Sequence, residues 1–176
     1  MAQKEGAMKS LPTKYKGYNF RSRTEARWAV FFDAMRITYL YEHEDVVLPS
    51  GRRYLPDFYL PNFAGGKYCE VKGKFTKEDL VTCFELAALG GKGIILLEGV
   101  PDFKTYYTIS YDEPARSIFE GEPHISEGIF CASFSKYGER MFVEPGFSTF
   151  EPNDWYSEYK HAVYEARGAQ FEFITH

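Results

Sequence analysis

Tyr54-Leu55-Pro56-Asp57-Phe58-Tyr59-Leu60-Pro61, followed by Tyr68-Cys69-Glu70-Val71-Lys72-Gly73, is the part of the chain from which its fold is best read. Arg53 to Leu60 and Lys67 to Lys72 are rich in aromatic and apolar residues that suit strands. Pro61-Asn62 and Gly65-Gly66 punctuate the segment between them, so the two strands are expected to form a hairpin. Strand side chains alternate faces, which points Glu70 and Lys72 one way and Val71 the other. In such a hairpin Asp57 falls near Glu70 across the ladder. Two carboxylates and an amine then converge. An exposed cross-strand ion pair would use the same residue types and contribute about 0–1 kcal/mol. The Pro56-Asp57 step, Gly73 after Lys72 and the intervening loop favour a functional reading.

Upstream, Ser22 is expected to start a helix. Ser22-x-x-Glu25 is a capping pattern, and Ala26 to Met35 combines good helix formers with large apolar residues. Glu25 shares a helical face with Trp28, Ala29 and Phe32, the face that should pack on a sheet. A carboxylate there needs a cation or donors close by. The capping role and a functional role are compatible. Ile37 to Tyr41 reads as a strand.

Downstream, Thr76 opens a second helix, with Lys77, Glu78 and Asp79 in its first turn. Leu80, Phe84 and Ala87 give it an apolar stripe, and Gly90-Gly91 ends it. Gly93 to Leu97 has the continuous apolar character of a buried strand. Thr105 to Tyr111 is a further candidate strand. Gly128 to Phe134 and Arg140 to Glu144 suggest a hairpin, and Asp154 to Arg167 a final helix carrying Trp155, Tyr156, Tyr159 and Tyr164.

The 176 residues suffice for one domain with a sizeable core. No apolar run of membrane-spanning length occurs, and Met1 to Ser10 lacks the apolar stretch of a signal peptide. Cys69, Cys83 and Cys131 show no metal or disulfide spacing, and His43, His124, His161 and His176 form no spaced pair. A reducing, cytoplasmic setting is expected. The net charge of −4 taken alone speaks against nucleic acid. Its distribution differs: residues 1–36 carry eight basic and three acidic side chains, a net of +5, leaving −9 for the rest. Asp112, Glu113, Glu120 and Glu122 belong to that acidic body and read as solubilising charge.

Helical Glu25, then Pro56-Asp57, then Glu70-Val71-Lys72 resembles the PD-(D/E)XK nuclease superfamily. Asn19-Phe20-Arg21-Ser22-Arg23-Thr24-Glu25 is similar to the entry of phage-type members, among them Holliday-junction-resolving endonucleases. The resemblance covers residues 15–98. It implies an α/β fold with a restriction-endonuclease-like core: a mixed central sheet of about four strands flanked by helices, with a C-terminal β-hairpin and helix as an extension. It implies a single nuclease domain over 1–176, with 1–14 flexible, a core over 15–98 and an accessory region over 99–176.

The activity so implied is a Mg²⁺-dependent endodeoxyribonuclease, structure-specific or nicking. Mg²⁺ or Mn²⁺ would be held by Asp57, Glu70 and the carbonyl of Val71, with Glu25 helping directly or through water. Glu25, Asp57, Glu70 and Lys72 would form the catalytic set. Arg21, Arg23, Arg27 and Lys74 flank it and are candidates for DNA phosphate contacts. The expected partner is DNA, with a homodimer if the protein resolves junctions, and the compartment is the host cytoplasm if the protein is phage-encoded. The competing class is a nuclease-fold DNA-binding or protein-interaction module, such as a phage-encoded inhibitor, which the acidic body favours.

Overall fold

The computed structural model describes residues 11–89, 92–111, 123–134, 140–143 and 155–173. Strands β1 (Thr13–Tyr15) and β2 (Tyr18–Phe20) lead into helix α1 (Arg23–Ala34). Next come β3 (Leu40–Tyr41), β4 (Val46–Val47), β5 (Arg53–Tyr54), β6 (Phe58–Leu60) and β7 (Lys67–Lys72). Helix α2 (Lys77–Ala87), β8 (Ile94–Glu98), β9 (Tyr106–Ser110), β10 (His124–Phe134) and β11 (Arg140–Val143) follow, then α3 (Trp155–Gly168) and β12 (Glu172–Phe173).

A seven-stranded mixed sheet runs in the order β11-β10-β9-β8-β7-β6-β3. Only β7 and β8 are parallel, joined through α2; the other neighbours are antiparallel. The expected hairpin of β6 and β7 is present, pairing Phe58 with Cys69, Tyr59 with Tyr68 and Leu60 with Lys67. The sheet is wider than the four strands expected because β9, β10 and β11 extend its β8 edge.

Alternation along the strands divides the core by face. Phe58, Leu60, Cys69, Val71, Ile95 and Leu97 pack under α1 and α3. Tyr68, Ile94, Leu96 and Ile109 pack with Cys83, Leu86 and Ala87 of α2. Glu70 and Lys72 alternate with Val71 and so share the α2 face. Of the expected α2 stripe, Ala87 is fully covered and Leu80 and Phe84 are half-buried against the core, and Cys83 and Leu86 are covered as well.

Three boundaries differ from the sequence reading. The segment Arg53 to Leu60 is not one strand. Arg53–Tyr54 pairs with Val46–Val47 in a separate two-stranded ribbon, and the chain enters the main sheet only at Phe58. Pro56 has no N–H for a ladder and sits in the break. Strand β3 begins at Leu40 rather than Ile37, because Arg36 takes a left-handed φ of 54° and Ile37 N–H donates to Phe32 O at 2.8 Å, closing α1. Finally, Thr13 and Lys14 are not a flexible lead-in. They form β1, between β2 and the C-terminal β12, and Thr13 is buried. Among the described residues no helix is long and apolar enough to cross a membrane.

Candidate active site

The ladder between β6 and β7 stops at Phe58 and Cys69. One residue further on, the Asp57 side chain takes over: its Oδ2 accepts the Val71 N–H at 2.7 Å. Asp57 and Glu70 are each 1 % exposed. Glu70 Oε1 accepts two hydrogen bonds, from Lys72 Nζ at 2.5 Å and from the Tyr54 hydroxyl at 2.5 Å. Glu70 Oε2 is equally buried and, among the described residues, has no hydrogen-bond partner. The break at Pro56 lets Tyr54 pack in the α2-side core and reach Glu70.

Glu25 approaches from α1. Ser22 caps this helix, its hydroxyl oxygen accepting the Glu25 N–H at 3.1 Å. The same hydroxyl donates to Glu25 Oε1 at 2.6 Å. Glu25 Oε2 accepts the Tyr41 hydroxyl at 2.7 Å and the Arg21 N–H at 3.1 Å. Ser22 thus caps α1, but the Glu25 carboxylate accepts the Ser22 hydroxyl and the Arg21 N–H rather than the Ser22 N–H, so the capping box is half formed; Glu25 is also buried. Arg21 links it to the strands, because its guanidinium pairs with Asp57 Oδ1 and, through Nε, with Glu42 at 2.6 Å.

Burial raises the Asp57 carboxyl to about 7, with Glu70 and then Glu25 adding to the rise; the Val71 N–H and Lys72 pull the other way. Burial alone would lower the Lys72 ammonium. The charge and hydrogen bond of Glu70, with Asp57 and Asp79, outweigh it and hold Lys72 above its ordinary value. Lys72 is thus a cation at neutral pH.

These observations test whether a divalent ion fits. Among the described residues no three His, Cys, Asp or Glu side chains gather as a metal-holding group. Glu25 is engaged by Ser22, Tyr41 and Arg21, which leaves Asp57 and Glu70 as the carboxylate pair. Arg21 pairs with Asp57 and Lys72 with Glu70, yet among the described residues Glu70 Oε2 has no donor, and burial raises the Asp57 carboxyl. A hard cation with oxygen ligands and retained waters suits two carboxylates of this kind.

The four basic candidates separate. Arg21 lies inside the site on Asp57. Arg27 Nη1 instead donates to the carbonyls of Ala166, at 2.7 Å, and Arg167, at the end of α3. Arg23 lines a hollow with Arg27, and Lys74 is exposed beyond β7. Tyr54 and Tyr41 join the site beyond the residues expected from the sequence. The proline that breaks the strand after Tyr54 was the available signal for the first; nothing local marks the second. Tyr159 is buried in α3, donating to Asp102 O at 2.5 Å, whereas Tyr156 and Tyr164 are exposed. Asp112, Glu113, Glu120 and Glu122 lie outside the described residues.

The fold and the site together define a mixed α/β protein with a buried carboxylate–lysine cluster at the end of a parallel strand pair. No protein-family model, curated protein or solved structure matches the chain.

Proposed function

We propose that the protein is a metal-dependent endonuclease hydrolysing DNA phosphodiester bonds. The part from α1 to β8 would be its restriction-endonuclease-like core. The observation that carries this reading is the buried pair Asp57 and Glu70 beside a charged Lys72, with one Glu70 oxygen left without a donor. Arg21 and Lys72 give each carboxylate a cation, but a purely structural cluster gains nothing from burying an acceptor oxygen that no described residue satisfies.

Asp57 and Glu70 would hold Mg²⁺ or Mn²⁺, with the Val71 carbonyl completing the set that the family resemblance implies. When bound, such an ion offsets phosphate charge and lowers the pKa of a water. Lys72 contributes an ammonium that stabilises negative charge developing on the phosphate oxygens. Tyr54 and Lys72 both hold Glu70 Oε1, which fixes its orientation. Glu25 acts at one remove, anchoring Arg21 and Tyr41 beside Asp57.

Incubation with supercoiled, linear, single-stranded and four-way-junction DNA tests the proposal. Cleavage is expected with Mg²⁺ or Mn²⁺ and not with EDTA, and Asp57→Ala, Glu70→Ala and Lys72→Ala should each abolish it. Cleavage surviving all three changes would remove the site assignment. A junction resolvase must cut two strands and is expected as a dimer; a monomer by light scattering counts against that substrate.

One observation favours a second reading, a nuclease-fold binding module. Arg21 already occupies Asp57 Oδ1, as it would in a site that never takes a metal. DNA binding without cleavage under every metal condition is the outcome this reading expects.

A further inference from the structure

The first turns of α1 and the C-terminal end of α3 enclose a hollow of about 400 Å³. Arg23, Arg27 and Arg167 line it, together with Gly168, Gln170 and Phe171, and among the described residues no Asp or Glu lines it. Arg23 and Arg27 are four residues apart on α1 and so share one helical face. Arg167 comes from the last turn of α3.

Arg27 explains part of this arrangement structurally. Its Nη1 caps α3 through the Ala166 and Arg167 carbonyls, and its guanidinium lies over the Phe171 ring at 5.8 Å. That occupies one edge of the guanidinium. Arg23 and Arg167 stand in the same wall. Burial lowers the Arg27 pKa, and the like charges of Arg23 and Arg167 lower it further. Arg167 meets Asp102 at 3.0 Å, an exposed pair that salt and water screen. The carbonyls at the end of α3 add only partial negative charge.

We infer that this hollow binds one backbone phosphate of a nucleic acid. Guanidinium forks match tetrahedral oxyanions, and one phosphate among three arginines relieves their mutual repulsion. The inference rests on the proposed nuclease reading and deepens it. Arg23 begins the same helix whose lead-in residue Arg21 pairs with Asp57. Arg23, Arg27 and Arg167 are positioning residues there, since they touch a phosphate other than the one cleaved.

Binding of a fluorescein-labelled oligonucleotide to the full chain, in EDTA, tests this. The Arg23→Gln/Arg167→Gln double variant leaves the α3 contacts of Arg27 in place. Its affinity should fall about tenfold, and the slope of log affinity against log salt should shrink by about one, the mark of one lost phosphate contact. Arg167→Gln alone, on a half-exposed side chain, replaces it if the double variant melts early. Equal losses for oligonucleotides with and without a 5′-phosphate are the expected result. A loss confined to the phosphorylated end would overturn the backbone assignment in favour of a terminal phosphate. Unchanged affinity and slope would overturn the site, even if inorganic phosphate raised the melting midpoint. The two readings fail separately. A wild type that binds as described yet never cleaves keeps the hollow and loses the nuclease, whereas unaltered binding by variants of an active enzyme does the reverse.

Discussion

Glu70 has one oxygen held by two donors and the other by none, while Asp57 beside it is raised to about 7, chiefly by burial. Such residues lower the stability of the fold they sit in. The sign follows from linkage: a carboxyl raised in the folded state costs nothing below the unfolded value near 4 and progressively destabilises as pH climbs through 7. Asp57→Asn should therefore melt higher than wild type at pH 8 in EDTA, with the gap closing by pH 4. Mn²⁺ should raise the wild-type midpoint and leave that of Asp57→Asn unmoved. Thermal denaturation across pH, with and without the ion, checks both parts. Equal melting of the two proteins across the whole range would mean that Arg21 already compensates Asp57 fully.

Among the elements, β7, β8 and α2 were legible because their signals are local. Thr76 caps α2 in a box with Asp79, and β7 runs over the expected Lys67–Lys72. What stayed hidden depends on partners distant in sequence. Thr13 pairs with Phe173, so no reading of the first residues could reveal β1. Arg21 looked like a phosphate contact because its carboxylate partner, Asp57, lies 36 residues on. The hairpin that brings Asp57 to Glu70 was legible, whereas the bend at Pro56 that returns Tyr54 to Glu70 was legible only as a proline. The start of β8 offers an element-scale test. Gly93 has a φ of 70°, and a Cβ there would lie 2.9 Å from the Ile109 carbonyl oxygen of β9. Gly93→Ala combines left-handed strain with overpacking and should cost about 2–4 kcal/mol. That corresponds to a melting midpoint lower by roughly 4–16 °C in a chain of this size. A calorimetric midpoint equal to wild type would show that the β8–β9 register can shift to accept the methyl.

For the whole molecule, the described residues Tyr106, Phe130 and Tyr159, all beyond residue 98, belong to the same core as α1. Trp28 packs on Tyr106 with ring centroids 5.0 Å apart, and Phe31 packs on Phe130 at 5.3 Å and on Tyr159 at 5.7 Å. A chain ending at residue 98 would leave these α1 aromatics without their partners. It should fail to give a cooperative melt or a dispersed NMR spectrum, whereas a folded fragment would make residues 99–176 a dispensable addition. The same packing holds α1, and with it Glu25 and Arg21, against the strands that carry Asp57 and Glu70. Whether these strands form a hydrolytic centre is tested by the rate of supercoiled-plasmid nicking in Mn²⁺ by wild type and Glu70→Gln. The expected result is nicking by wild type and a loss of at least about 100-fold in the variant, the scale of removing a group that acts on the transition state. Equal rates for the two proteins would contradict the claim.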